Sequence, residues 1–218
     1  KTVPIPSFLP DTPETREELV HYYQSVSRID QGVGRLVEIL KEAELYDKTL
    51  IVFTSDHGMA FAGGKTTVYE GGLKVPFVVR NPYEEKRGIR QSALISHIDI
   101  TPSLLDFIGA LDPEKNRPKQ WVDPSKYWKE KTYVAKENRG SAGKLSSYHG
   151  RSWIPILGKP KAKHWETVFA SHTFHEIQMY YPMRVVRDQK YKLIWNIAHP
   201  LPYPFASDLW AASSFQAQ

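Results

Sequence analysis

The sequence predicts an α/β protein: a mostly parallel central sheet flanked by helices, followed by a small C-terminal antiparallel α+β subdomain. Three observations carry this. Leu19, Tyr22, Val26, Ile29, Val33, Leu36, Val37 and Leu40 recur at spacings of three and four, the period of a long amphipathic helix. Leu50–Thr54 and Val75–Val79 are short apolar runs without alternation, as in strands covered on both faces. From Thr167 onward, three strand-like runs follow one another, the last two separated only by Asp188-Gln189-Lys190.

Each element has local support. Lys1–Pro10 is extended and carries three prolines. Thr12 as N-cap, Pro13 at the first helical position and the acid that follows open the long helix, which ends near Ala43–Leu45. Tyr46-Asp47-Lys48 links it to the strand Thr49–Thr54, and helix followed by buried strand is half of a βαβ unit. Ser92–Ser96 is a shorter strand candidate, and Asp99 to Pro102 opens a helix that Gly109 stops. Gly150–Leu157 suggests a short helix. Thr167–Ser171, Met183–Arg187 and Tyr191–Ile197 form the expected antiparallel meander, and Ala198–Gln218 trails off without a closing element.

Between these parts, Leu111–Tyr148 lacks periodicity and interleaves lysines and arginines with Trp121, Tyr127, Trp128 and Tyr133. It is either a rim that grips an anionic sugar chain or a solvated insertion tacked down by its aromatic residues. The chain has 218 residues, 41% hydrophobic and 24% charged, as expected of a globular protein. No apolar run approaches the roughly 18 residues that span a bilayer, so no membrane partner is expected. The net charge of +5 suits an anionic ligand. No nucleic-acid partner is expected either, because no zinc-finger spacing or long basic run accompanies that charge. Cysteine is absent, which removes disulfides and thiol chemistry from this chain.

The chemistry gathers at the carboxyl end of the strand at 50–54, where open α/β sheets leave a crevice for ligands. Asp56 and His57 place a hard oxygen donor beside a nitrogen donor and are candidate metal ligands. A calcium ion takes about six to eight oxygens, so further ligands must come from elsewhere. Lys65, between Gly63-Gly64 and Thr66-Thr67, offers a compact ammonium suited to the oxygens of sulfate or phosphate. His175, Glu176 and Arg184 form a second group. A histidine could serve as general acid, and the carboxylate and guanidinium could bind a sugar. On one strand His175 and Glu176 would point to opposite faces, so a shared pocket requires a bulge or turn.

Taken together, Thr54-Ser55-Asp56-His57-Gly58, Lys65, Tyr69 to Pro76 (YEGGLKVP), His97 to Pro102 (HIDITP) and Gly150-Arg151-Ser152 resemble the C-terminal half of a sulfatase. These enzymes are the formylglycine-dependent group of the alkaline-phosphatase-like superfamily. Within the family, Thr167–Arg184 (TVFASHTFHEIQMYYPMR) is similar to the heparan N-sulfatases, or sulfamidases. The resemblance implies hydrolysis of sulfate esters or sulfamates on a sulfated glycan, N-sulfoglucosamine being the first candidate. It implies that Asp56 and His57 ligate a single calcium ion, that Lys65 faces the sulfate, and that His175, Glu176 and Arg184 face the substrate.

It also divides the chain into part of the catalytic α/β domain (1–110), the basic aromatic insertion (111–149) and a truncated C-terminal subdomain (150–218). A periplasmic, extracellular or lysosomal location follows from the same likeness. One departure is decisive: the Cys/Ser-x-Pro-Ser/Ala-x-Arg motif that yields the formylglycine nucleophile is absent, as are the paired aspartates that complete the calcium site. The expectation is a fragment that is inactive alone and partnered by the N-terminal half of the same enzyme. A phosphoryl hydrolase or transferase of the same superfamily and a non-catalytic module for anionic glycans are the alternatives.

Overall fold

The computed structural model describes residues 3–112, 117–118, 148–176 and 179–217. Most of the basic aromatic segment lies outside them. The chain forms two compact units, one of residues 1–85 with 169–218 and one of residues 86–168.

The first unit opens with helix α1, Pro13–Glu42, started as expected by Thr12, whose hydroxyl accepts from the Thr15 amide at 3.2 Å. Leu19 is buried with Leu9 and Phe61, and Tyr22 and Tyr23 pack against them. Farther along, Val26, Ile29, Leu36 and Ile39 are exposed, Ile29 at 53%. A 3-10 turn, Tyr46–Lys48, leads to strand β1, Ile51–Thr54. Arg80 closes this corner by donating to the carbonyls of Tyr46 and Thr49 and by lying 2.9 Å from the Asp47 carboxylate.

The loop after β1 carries the four-residue helix α2, Glu70–Leu73, before strand β2, Phe77–Arg80. β1 and β2 pair antiparallel, Ile51 opposite Arg80 and Thr54 opposite Phe77. Neither is fully covered, since the residues of β1 are only half-buried and Val78 is 61% exposed. No parallel pairing joins these two strands, so the expected parallel sheet needs partners other than this pair.

Beneath the loop lies a three-stranded sheet, ordered β5-β6-β7, of Val168–His175, Met179–Arg187 and Lys192–Asn196. β6 and β7 are antiparallel, Met183 opposite Asn196 and Arg187 opposite Lys192. The turn between them is set by Asp188, whose carboxylate accepts from the amides of Lys190 and Tyr191. Tyr181, Met183 and Val185 alternate inward and bury against Val68 of the loop and Ala198. The loop is therefore seated on the sheet.

The tail does close, contrary to the expectation of an end without a closing element. Helices α4, Ser207–Trp210, and α5, Ser213–Gln216, follow an edge-to-face aromatic chain of Tyr181, Tyr203, Phe205 and Phe215. Ala206 and Leu209 bury with Met179, and the hydroxyls of Ser213 and Ser214 donate to Glu18 of α1. Burial opposes the Glu18 charge, but those hydroxyls outweigh it and hold its carboxyl below the ordinary range.

The second unit contains a 3-10 turn, His97–Asp99, helix α3, Ile100–Phe107, the short antiparallel pair β3, Leu111–Asp112, and β4, Arg117–Pro118, and a 3-10 turn, Ile154–Ile156. In place of the strand expected at Ser92–Ser96 there is a single bridge from Leu94 to Trp165. Asp99 is its buried hub. Its carboxylate accepts from the amides of Ser96 and Arg151, at 2.8 and 2.9 Å, and from the Trp165 indole at 2.9 Å, with the His164 ring 3.4 Å away. The Ser152 hydroxyl donates to Asp106 and the Trp153 amide to Ser103. Gly150 lies against the Ile98 carbonyl so closely that a Cβ there would sit 2.0 Å from it. His97-Ile98-Asp99 and Gly150-Arg151-Ser152, distant in sequence, are thus two sides of one structural contact. No described helix is long and apolar enough to cross a membrane.

Candidate functional site

The loop at residues 55–76 is pinned by close backbone contacts that only glycine permits. The Gly58 amide donates to the Gly72 carbonyl at 2.9 Å, and a Cβ on Gly58 would lie 1.6 Å from the Gly71 oxygen. The Lys65 amide donates to Met59, turning the loop back on itself. Glu70 anchors the far side through Lys192, at 2.5 Å, and Arg187, at 3.3 Å. Burial works against its charge, yet the hydrogen bond from Lys192 and the two cations prevail and lower its carboxyl. Glu70 is therefore a structural anchor of the YEGG segment.

Asp56 and His57 stand at the start of this loop, the Asp56 side chain 84% exposed. One carboxylate oxygen accepts from the His57 amide at 2.9 Å, and that bond, ahead of the nearby imidazole, holds the carboxyl below its usual range. His57 Nδ1 lies 2.8 Å from the Gly58 carbonyl. A carbonyl can only accept, so Nδ1 carries a proton, and in the neutral ring the lone pair is the one on Nε2. That Nε2 lies 3.6 Å from the second Asp56 oxygen. Two donors at this separation can both sit about 2.4 Å from one ion. An ionised carboxylate beside a tautomer-fixed imidazole thus fits a divalent cation, and the pair offers two ligands to it.

Lys65 pairs with the folded-back tail. Its side chain is 17% exposed, and its ammonium is 2.5 Å from the Asp208 carboxylate on α4. The pairing holds Asp208 below the ordinary carboxylate range, mainly through the hydrogen bond from Lys65. His175, Glu176 and Asp208 each offer a ligand atom, and these atoms lie within 4.8 Å of one another. A strand alone would have opposed His175 and Glu176. β5 ends at His175, however, and Glu176 takes a left-handed φ of 59°, so its carboxylate swings to 3.9 Å from the His175 ring. The Ser207 hydroxyl ties Glu176 to α4 at 3.0 Å.

Thr66, next to Lys65, is also left-handed at φ 67°, a conformation that a β-branched residue adopts only under constraint. The Tyr203 hydroxyl donates to its carbonyl at 2.8 Å, and burial pushes that phenol's pKa up. One strained residue therefore lies within the cluster and another beside Lys65.

Arg184 does not join it. Its guanidinium donates to the carbonyls of His172 and Met183 and reaches the Thr173 hydroxyl, and it makes no bond to His175, Glu176 or Lys65 among the described residues. The structure thus brings Lys65, His175 and Glu176 together, keeps Asp56 with His57 and turns Arg184 onto its own sheet. Asp208 went unpredicted. Its only sequence signal is an acid in the first turn of a four-residue helix.

Residues 6–110 match the family model described as Sulfatase. The chain is similar to N-sulphoglucosamine sulphohydrolase of Homo sapiens, 34% identical over 213 residues, which covers 97% of this chain and 38% of that protein. It is similar to an ulvan-active sulfatase of Formosa agariphila, 29% identical over 80% of this chain and 28% of the relative. N-acetylglucosamine-6-O-sulfatase of Bacteroides thetaiotaomicron is 35% identical over 42% of this chain and 17% of its own length. The chain spans less than two fifths of the length of each of these relatives. With the family's motifs at residues 54–76 built into one pinned loop, and the likeness continuing through the sheet below it, the chain belongs to the sulfatase family.

Proposed function

We propose that this chain is part of an enzyme that hydrolyses sulfate ester or sulfamate groups on a sulfated glycan, with N-sulfoglucosamine as the first substrate to test. One observation carries the choice of substrate. The family match ends at residue 110, whereas the likeness to N-sulphoglucosamine sulphohydrolase covers 97% of the chain and so takes in His175 and Glu176.

Sulfatases use a formylglycine and a metal ion. In this reading Asp56 and His57 hold calcium, which supplies positive charge against the sulfate oxygens, and the nucleophile comes from residues outside this chain. Lys65 has three N–H donors. Asp208 takes one, which leaves two for the sulfate oxygens as charge builds on them during S–O or S–N cleavage. His175, on the same cluster, is positioned to hold the proton that the leaving oxygen or nitrogen needs.

The exposed stripe of Val26, Ile29, Leu36 and Ile39 and the half-covered β1–β2 pair suit burial against the rest of such an enzyme, in which this pair would join a larger, mostly parallel sheet. A non-cytosolic compartment is part of the proposal on family grounds. The test is sulfate release by the full-length protein from N-sulfoglucosamine, from glucosamine 6-sulfate and from a phosphate monoester. Sulfate from N-sulfoglucosamine supports the reading, and phosphate release without sulfate release overturns it.

A further inference from the structure

We propose that Asp208 is the positioning residue for Lys65, delivered to the site by the short helix that closes the tail. The inference rests on the sulfatase reading above and adds to it a residue that neither the loop motifs nor residues 6–110 contain.

Asp208 is fixed through both oxygens. One accepts from the Leu209 amide at 3.0 Å, and the other lies 2.5 Å from the Lys65 ammonium. The helix carrying it is itself anchored, because Ala206 and Leu209 are buried with Met179 and Ser207 is bonded to Glu176. On the other side of the pair, Lys65 springs from a backbone held by the Met59 carbonyl and by Tyr203 at Thr66.

A lysine on four rotatable bonds has many places for its charge; a fixed carboxylate leaves it few. The pairing selects the rotamer while leaving two donors unspent. Asp208 is poorly suited to bind sulfate itself, since it adds a negative charge beside Glu176. Its contribution is therefore directional, aiming Lys65 at an anion rather than attracting that anion.

The experiment uses the full-length enzyme with N-sulfoglucosamine as substrate. Asp208→Asn keeps the shape and removes the charge, and is expected to lower kcat/KM by about 10- to 100-fold, the range seen when a catalytic group is misplaced by an ångström. Its melting temperature should stay within about 2 °C of wild type, as expected for a partly exposed pair. Asp208→Glu should recover most of the loss. In a Lys65→Ala background the same Asp208→Asn change should cost less than about 2-fold, because coupled residues lose their effect together.

Wild-type turnover with Asp208→Asn unchanged overturns the positioning role and leaves the sulfatase reading intact. An equal loss with and without Lys65 overturns it too, since it marks a general structural defect. A wild-type enzyme that releases no sulfate overturns both.

Discussion

The Lys65 ammonium and the Asp208 carboxylate meet at 2.5 Å across 143 positions of sequence. This contact joins the loop after β1 to the last turns of the chain, and through Asp208 it links Lys65 to His175 and Glu176. Removing residues from 206 onward should therefore impair the site although it leaves the loop intact. In the full-length protein that truncation is expected to lower kcat/KM by at least about 10-fold through loss of orientation. Steady-state kinetics with N-sulfoglucosamine checks it.

Gly58 has no room for a side chain. A Cβ there would lie 1.6 Å from the Gly71 oxygen, which is backbone and cannot rotate away. Gly58→Ala should cost about 3 kcal/mol or more, at or above the usual range for overpacking. Limited proteolysis of the full-length protein should show new cleavage at residues 55–76 before the rest of the fold is attacked.

Asp99 gives a pH dependence with a defined sign. Burial opposes its ionisation, but the His164 ring and the N–H groups of Ser96, Arg151 and Trp165 outweigh burial and lower its carboxyl. A depressed folded pKa adds stability that is fully present above the unfolded value, about 3.9, and is lost as pH falls through the folded value. Asp99→Ala should destabilise the unit of residues 86–168 by about 3 to 5 kcal/mol at pH 7, because its donors lose their acceptor. Hydrogen exchange at the amides of Ser96 and Arg151 measures this, and the gap from wild type should narrow below about pH 4.

Glu70 offers a contrasting case, since its partners are only partly buried. Glu70→Gln should cost about 1 kcal/mol or less. Urea unfolding in low salt and in about 1 M salt should show the difference shrinking as screening increases.

Local chemistry explains which parts were legible. Thr12-Pro13 and the spacing from Leu19 to Leu40 sufficed for α1, because capping and helical period are written within a few residues. The same pattern did not say what covers the stripe, and Val26, Ile29 and Leu36 of it are exposed here. A strand starting at Met183 stops at Pro182, which lacks an N–H, yet β6 continues back to Met179. Pro182 still accepts from the Ile197 amide, so only the donor side of that position is lost. Asp56, His57 and Lys65 were readable as a loop motif. Asp208 was not, because its contact with Lys65 exists only once the tail folds back, and the carbonyls that the Arg184 guanidinium meets are likewise set by the fold.

The most direct test of the sulfatase site is the rate of sulfate release from N-sulfoglucosamine by the full-length protein, wild type against Lys65→Ala. Wild type should release sulfate, and the variant should lose about 100-fold or more in kcat/KM, the scale of removing one preorganised donor from a developing anion. Release by Lys65→Ala within about 3-fold of wild type, well short of that donor scale, or no release by wild type, would contradict the sulfatase reading.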